Sequence, residues 1–409
     1  MLHIEKAHQF LKGVIKRTPL QLNHNLSALY GANIYLKRED LLVVRSYKLR
    51  GAYNMISQLS SEEQQQGVVC ASAGNHAQGF AYSCERLGIR GVVFMPQVTP
   101  KQKIQQTKRF GKENVIIRLI GDTYDDCAEA AKSYAAEHRM TYIPPFDDWR
   151  IIEGQGTIGV ELLEELPDID FVFLPIGGGG LCAGVGTYTK EHSPRTTIIG
   201  VEPQGAPAMK AAFEAGQPVT LQQIDRFVDG AAVKRVGEIT YPICRKVIDD
   251  ICLVPEGKIC STILKLYNED AIVAEPAGAL SIAALDNYAD VVRKKNVVCI
   301  VSGSNNDIDR MQEIKERSLL YERLKHYFLI RFAQRPGALK DFVNKVLGPN
   351  DDIVRFEYMK KTNKEDGPAL VGVELNSARD YELFVQRLKE HQFHYTVLAE
   401  DDNLFAYLV

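Results

Sequence analysis

Short apolar runs alternate with segments of helical period from about residue 30 to residue 310. Residues 32–36, 67–71, 91–95, 114–119, 171–176, 197–201 and 297–301 each read as a strand. Most of these runs are apolar throughout rather than alternating. That pattern suits strands of a parallel sheet covered by helices on both faces. Between them lie helical stretches such as 124–138, with Ala128, Ala131 and Ala135 on one side. Strand–helix alternation predicts α/β layering.

The pattern changes near residue 312. Residues 312–325 are charged and helix-prone, and read as a connecting helix. A self-contained unit follows. Residues 326–333 read as a strand, Gln334-Arg335-Pro336-Gly337 as a turn and 338–347 as a helix. Strands 353–361 and 369–375 flank a polar turn at 362–367. A helix at 379–391 and a strand at 393–398 complete the unit. The order β-α-β-β-α-β predicts a ferredoxin-like arrangement. The expected division is a main part at 1–311, a connector at 312–325 and a small α+β domain at 326–409.

Length supports more than one domain, because 409 residues exceed the ~250–300 at which a single core stops growing. Charge narrows the partners. The net charge is −3, and Lys plus Arg against Asp plus Glu is 11 against 13 from His326 onward and 38 against 39 before it. Neither part is basic, which excludes nucleic acid and anionic membranes as expected partners. No apolar stretch reaches the ~18 residues of a transmembrane helix. The opening Met1-Leu2-His3-Ile4-Glu5-Lys6 lacks a signal-peptide run, which predicts a cytoplasmic chain. The eight cysteines are scattered, with no C-x-x-C pair, and read as buried thiols in a reducing compartment.

Four segments carry candidate chemistry at expected strand ends, where ligands bind in open α/β sheets. In Ser46-Tyr47-Lys48-Leu49-Arg50-Gly51-Ala52, Lys48 sits among apolar and small residues. A desolvated lysine loses its proton readily and forms Schiff bases; the alternative is a surface lysine at a helix start. Ser72-Ala73-Gly74-Asn75-His76-Ala77-Gln78-Gly79 follows a strand and enters a helix. Its free N–H groups suit a carboxylate, and Ser72 or Asn75 also suits an N-cap. In Pro175-Ile176-Gly177-Gly178-Gly179-Gly180-Leu181, four glycines let the backbone close on a phosphate, or simply turn the chain. Val301-Ser302-Gly303-Ser304-Asn305 presents the Ser302 hydroxyl at a strand end. A tether, a carboxylate turn, a phosphate cup and a hydroxyl for a ring nitrogen are what pyridoxal 5'-phosphate requires.

S-Y-K-L-R-G-A-Y-N, S-A-G-N-H-A-Q-G, P-I-G-G-G-G-L and V-S-G-S-N resemble the threonine dehydratases, fold-type II pyridoxal enzymes of the tryptophan-synthase-β-like group. I-I-E-G-Q-G-T at 151–157 and E-P-A-G-A at 275–279 match as well, so the resemblance covers nearly the whole chain. It implies a catalytic part of two open parallel-sheet α/β subdomains. Gln334-Arg335-Pro336-Gly337-Ala338-Leu339 and Gly348-Pro349-Asn350-Asp351-Asp352 resemble a single ACT-like regulatory domain of the ferredoxin-like α+β class.

The resemblance further implies deamination of L-threonine to 2-oxobutanoate and ammonia, the committed step toward isoleucine. Lys48 would tether the cofactor and serve as base. Asn75 would bond the ring hydroxyl, Gly177, Gly178, Gly179, Gly180 and Leu181 would hold the phosphate, and Ser302 would meet the ring nitrogen. Ser72, Ala73, Gly74, Asn75 and His76 would grip the substrate carboxylate. Tyr47 stands where many relatives carry phenylalanine. Asp229 and Glu275 are loose candidates for a cation, although a cap or ion pair suits them better, and no metal is expected. Phe146-Asp147-Asp148 shapes the pocket in a way that residue types alone do not define. Isoleucine and valine would act through the ACT-like domain, and a homotetramer is expected. Alternatives within the superfamily are an L-serine dehydratase or a serine racemase; outside it, an amino-acid sensor with an inactive catalytic half.

Overall fold

The computed structural model describes residues 2–358 and 365–398. Part of the expected turn 362–367 and the end of the expected strand 353–361 lie outside the described residues. Contacts divide the chain into two compact units, Met1–Asp307 and Ile308–Val409.

The described residues of the first unit form ten strands: β1 Leu20–Leu22, β2 Asn33–Arg38, β3 Val68–Ala71, β4 Gly91–Met95, β5 Val115–Leu119, β6 Thr141–Tyr142, β7 Phe171–Pro175, β8 Thr197–Pro203, β9 Asp250–Val254 and β10 Asn296–Val301. They form a six-stranded sheet in the order β1-β2-β10-β7-β8-β9 and a four-stranded sheet in the order β5-β4-β3-β6. Every pair is parallel except the edge pair of β1 with β2. The all-apolar runs thus form the covered parallel strands that their pattern predicts. β1, β6 and β9 were not anticipated. β1 and β6 are too short for any periodicity, and β9 is a four-residue apolar run behind charged Asp249 and Asp250.

Helix Trp149–Glu165 ties the first unit together. Its Gly154 lies against the helix Lys48–Ser57 so closely that a Cβ there would fall 2.6 Å from the Arg50 carbonyl oxygen. A charged cluster is buried at the same crossing. Arg50 donates to Glu39 at 2.8 Å and to Glu161 at 2.7 Å, while Lys37 pairs with the second Glu161 oxygen at 2.7 Å. Thr18 donates its hydroxyl to Glu39 at 2.6 Å. Arg50 and Lys37 are 1% and 0% exposed, so both cations have left water entirely. Burial opposes the Glu161 charge, but Arg50 and Lys37 more than offset it and hold that carboxyl down at about 2.

The second unit is a β-α-β-β-α-β fold. Its strands β11 Lys325–Ala333, β12 Asp352–Tyr358, β13 Asp366–Glu374 and β14 His394–Val397 form one antiparallel sheet in the order β12-β13-β11-β14. Helices Ala338–Lys345 and Asp380–Glu390 bury Phe342, Phe384 and Leu388 against Phe328, Ile330, Val371 and Val373. Helix Met311–Tyr321 belongs to this unit as well, since its Glu316 accepts hydrogen bonds from Tyr327 and Lys325 of β11. No helix of the described residues is long and apolar enough to cross a membrane.

Candidate active site

The sheet order decides where the motifs meet. β2, β10 and β7 are neighbours and run parallel, so their carboxyl ends lie side by side. Ser302 directly follows β10, and the glycine turn directly follows β7. Lys48 is not at a strand end, in contrast to the expectation. It lies ten residues past β2, beyond the short turn Glu39–Leu41, and opens the helix Lys48–Ser57. A bridge between Ser46 and Gly303, and a 3.2 Å bond from the Tyr47 N–H to the Ser302 carbonyl, bring it back to β10.

Lys48 is half-buried, and its Nζ donates to the Pro145 carbonyl at 2.8 Å. Burial pulls its amine down to about 8, against the opposing pull of Glu275. An amine with that value is neutral in roughly a tenth to a fifth of molecules near physiological pH, far more than an ordinary lysine, and the neutral form is the one that acts as nucleophile or base. The Tyr47 ring lies 5.5 Å from Nζ.

The 72–76 turn opens the helix Asn75–Leu87. Neither expected N-cap serves. Gly74 occupies the cap with no side-chain bond, and the Ser72 hydroxyl accepts the Gly74 N–H instead. Among the described residues, the backbone N–H groups of Asn75, His76 and Ala77 have no partner. They leave a partial positive charge at a helix start with open space beside Gly74. The His76 ring points elsewhere, bonded to the Ile143 carbonyl at 3.0 Å. Burial and nearby Lys48 drive its pKa down to about 3, so the ring is neutral and only its N–H belongs to the turn. The Asn75 amide donates to Glu275 and accepts from Asn305 at 2.7 Å.

The glycine turn opens the helix Gly180–His192, capped by Gly179 at φ +96 without a side-chain bond. That left-handed backbone requires glycine. The N–H groups of Gly180, Leu181 and Cys182 have no backbone partner among the described residues. The turn's carbonyls are held from outside. Gly178 O accepts from the Thr240 hydroxyl at 2.6 Å, and Gly179 O from the Cys244 thiol at 3.5 Å.

Glu275 and Ser302 complete the cluster. Glu275 is almost fully buried and also accepts the Asn305 N–H at 3.0 Å. Burial, helped by nearby Asp229, pushes its carboxyl up to about 7. Asp229 itself pairs with Lys103 at 2.5 Å. The two loose cation candidates are therefore engaged with protein groups. Among the described residues no three His, Cys, Asp or Glu side chains gather as a metal site. Ser302 donates its hydroxyl to the Ala277 carbonyl at 3.1 Å.

Residues 11–303 match the model of pyridoxal-phosphate dependent enzymes, and residues 316–408 match that of the C-terminal regulatory domain of threonine dehydratase. A biosynthetic L-threonine dehydratase of Halalkalibacterium halodurans is 58% identical over 404 residues, covering 98% of this chain and 97% of its own length. The chain belongs to the biosynthetic threonine dehydratases. The counterpart from Bacillus subtilis is 57% identical over 408 residues, covering 100% of this chain and 97% of its own. The processed form of threonine deaminase isoform 2 from Solanum lycopersicum is 41% identical, with a TM-score of 0.74 over 77% of this chain and 92% of that one. Maize serine racemase is also similar, at 29% identity and a TM-score of 0.71 over 78% of this chain and 97% of its own. The relatives that match along the full length, regulatory domain included, favour the dehydratase over the racemase and sensor alternatives.

Family membership makes this chain a pyridoxal-phosphate-dependent carbon–nitrogen lyase with a regulatory domain. The residues present fit that cofactor. A lysine of lowered pKa stands near two helix starts with unpaired N–H groups, and the Ser46 hydroxyl two residues before it is buried with no hydrogen-bond partner. Sequence reasoning missed Asn305, although the V-S-G-S-N segment already contained it. It also missed Thr240 and the contacts of Asp147, for which spacing carries no signal.

Proposed function

We propose that the chain deaminates L-threonine to 2-oxobutanoate and ammonia, with Lys48 as cofactor tether and base. The observation that carries this reading is an amine drawn down to about 8 by burial, in the unit where the helices Asn75–Leu87 and Gly180–His192, opened by two of the motifs, both start without a side-chain cap. Pyridoxal phosphate, when bound, supplies the electron-withdrawing ring that acidifies the Cα–H of an attached amino acid. Gly177 to Gly180, with the Leu181 amide, would hold the phosphate. Within 72–76, the free N–H groups of Asn75 and His76, with the Ser72 hydroxyl, would hold the substrate carboxylate, while the N–H groups of Ser72 and Gly74 are already bonded to the Phe94 carbonyl and the Ser72 hydroxyl. Asn75, fixed in orientation by Glu275 and Asn305, would turn its remaining amide hydrogen to the ring hydroxyl.

Lys48 would take the Cα proton as a free amine. The Cα–H and Cβ–O bonds are then both broken, water leaves, and the released enamine tautomerises and hydrolyses to 2-oxobutanoate and ammonia. Ser302, its hydroxyl turned from the Ala277 carbonyl, would offer the ring nitrogen a neutral hydrogen-bond donor rather than a carboxylate. That does not hold the nitrogen protonated, which favours loss of the β-hydroxyl over return of the proton to Cα.

Control would reside in the C-terminal unit, where isoleucine and valine bind and shift the affinity for threonine. Eight free, buried cysteines support a reducing, cytoplasmic location. A homotetramer completes the reading, and light scattering on the purified protein tests it. The function is tested by incubating the loaded enzyme, and its Lys48→Ala variant, with threonine and with serine. The parent should form 2-oxobutanoate faster than pyruvate, and the variant neither. Near-parental turnover by the variant would remove Lys48 from the mechanism.

A further inference from the structure

The segment 145–148 belongs to none of the four motifs, yet it touches both the lysine and the glycine turn. The Pro145 carbonyl accepts the Lys48 Nζ bond. The Phe146 ring underlies the turn, for a Cβ on Gly178 would fall 2.3 Å from it. The Asp147 carboxylate accepts the N–H groups of Glu238, Ile239 and Thr240 at 3.0, 2.9 and 3.2 Å. It thereby caps the helix Thr240–Val247, where a negative charge is favoured. Thr240 and Cys244, on that helix, hold the carbonyls of Gly178 and Gly179. In a planar trans peptide the N–H points opposite to the C=O. Pinning these two carbonyls therefore turns the N–H groups of Gly179 and Gly180 away from the helix, side by side. Successive N–H groups aimed together form an anion nest.

We propose that Asp147 is a positioning residue for the cofactor phosphate. It sets Thr240, Thr240 sets the Gly178–Gly179 peptide, and the glycine N–H groups converge as a result. The proposal rests on the reading that this turn holds the phosphate.

The test compares pyridoxal phosphate with pyridoxal, which lacks the phosphate. Full-length protein is stripped of cofactor and titrated with each, read by the visible absorbance band. Asp147→Asn and Thr240→Val should each weaken pyridoxal phosphate by about tenfold or more, as expected for hydrogen bonds that aim at a charged group. Pyridoxal affinity should stay near parental, and Thr240→Ser, which keeps the hydroxyl, should restore the parental ratio. A merely structural role would weaken both ligands in proportion, and that result would overturn the proposal, as would an unchanged ratio. A parental ratio near one would sink the phosphate reading itself, and this proposal with it. Should Asp147→Asn fail to fold, the Thr240→Val and Thr240→Ser pair decides.

Discussion

The two units bury different things. In Met1–Asp307, charged and polar side chains lie deep inside: Lys37, Glu39, Arg50, Glu161, Glu202 and Glu275 are all buried. In Ile308–Val409, Ser318 is the only buried polar residue among the described ones, and the core is phenylalanine, isoleucine, valine and leucine. Removing a charge from water is costly, and an apolar replacement is often as stable. The buried charges of the first unit therefore do something other than maximise stability. They cluster on the elements that carry chemistry. Arg50 lies two residues from Lys48, Glu275 bonds Asn75, and Glu202 accepts the N–H groups of Met209 and Lys210 next to the glycine turn. Among its described residues the antiparallel unit packs an apolar core, and its charge pairs, such as Arg387 with Asp351 and Lys325 with Glu316, keep at least one partner partly exposed.

This contrast predicts separate failures. The largest effect is expected for Arg50→Met, which leaves Glu39 buried without its cation and Glu161 with Lys37 alone. It should cost about 3–5 kcal/mol. The single tryptophan, Trp149, opens the helix that carries Glu161, so its fluorescence reports this unit's denaturation. An unchanged midpoint would show that the cluster is solvated in solution.

In the second unit, Leu388→Ala should cost about 2–5 kcal/mol of that unit's stability through lost burial and a cavity. The Trp149-reported midpoint and basal threonine turnover should hold, while the response to isoleucine fails. A matching drop at Trp149 would join the two units into one cooperative block.

Ser302→Asp places a carboxylate where a neutral hydroxyl now stands. Elimination should slow by roughly ten- to a hundredfold, which is ~1.4–2.7 kcal/mol of barrier, and transamination products should rise. No change in rate or cofactor spectrum would show that Ser302 does not meet the ring.

The smallest effect is on pH. Lys48 must be neutral to attack an aldehyde. With its pKa lowered to about 8, the neutral fraction grows as pH rises and then levels off above that value. Cofactor capture by the stripped protein should quicken roughly eightfold between about pH 7 and about pH 8.5. A flat profile in stopped-flow absorbance would contradict the assigned amine.

The same contrast explains what could be read in the sequence. The apolar runs of β3, β4, β7, β8 and β10 name the parallel sheets because a strand covered on both faces has no polar side to show. The β-α-β-β-α-β order of the second unit follows equally from local patterns, since its core is built of apolar periodicity. The four motifs were legible because glycine, serine and lysine at strand–helix junctions have few other uses. The support behind them was not. Arg50 reads as a surface residue until Glu39 and Glu161 are seen on either side of it, 11 and 111 positions away. Asp147 reaches Thr240 across 93 residues, and no spacing rule spans that gap. In sequence Lys48 follows the extended segment 37–40 and reads as lying at a strand end, whereas a ten-residue excursion and the Ser46–Gly303 bridge deliver it.

The deepest difference between the two units is that the chemistry lies in one and its control in the other. The direct measurement is threonine saturation, with and without isoleucine, for the full chain and for a chain ending at Asp307. The full chain should lose apparent threonine affinity in isoleucine by roughly 5–150-fold, the usual span of allosteric coupling. The shortened chain should still form 2-oxobutanoate and show no shift. A shortened chain inhibited like the intact one, or an intact chain indifferent to isoleucine, would contradict the division of labour.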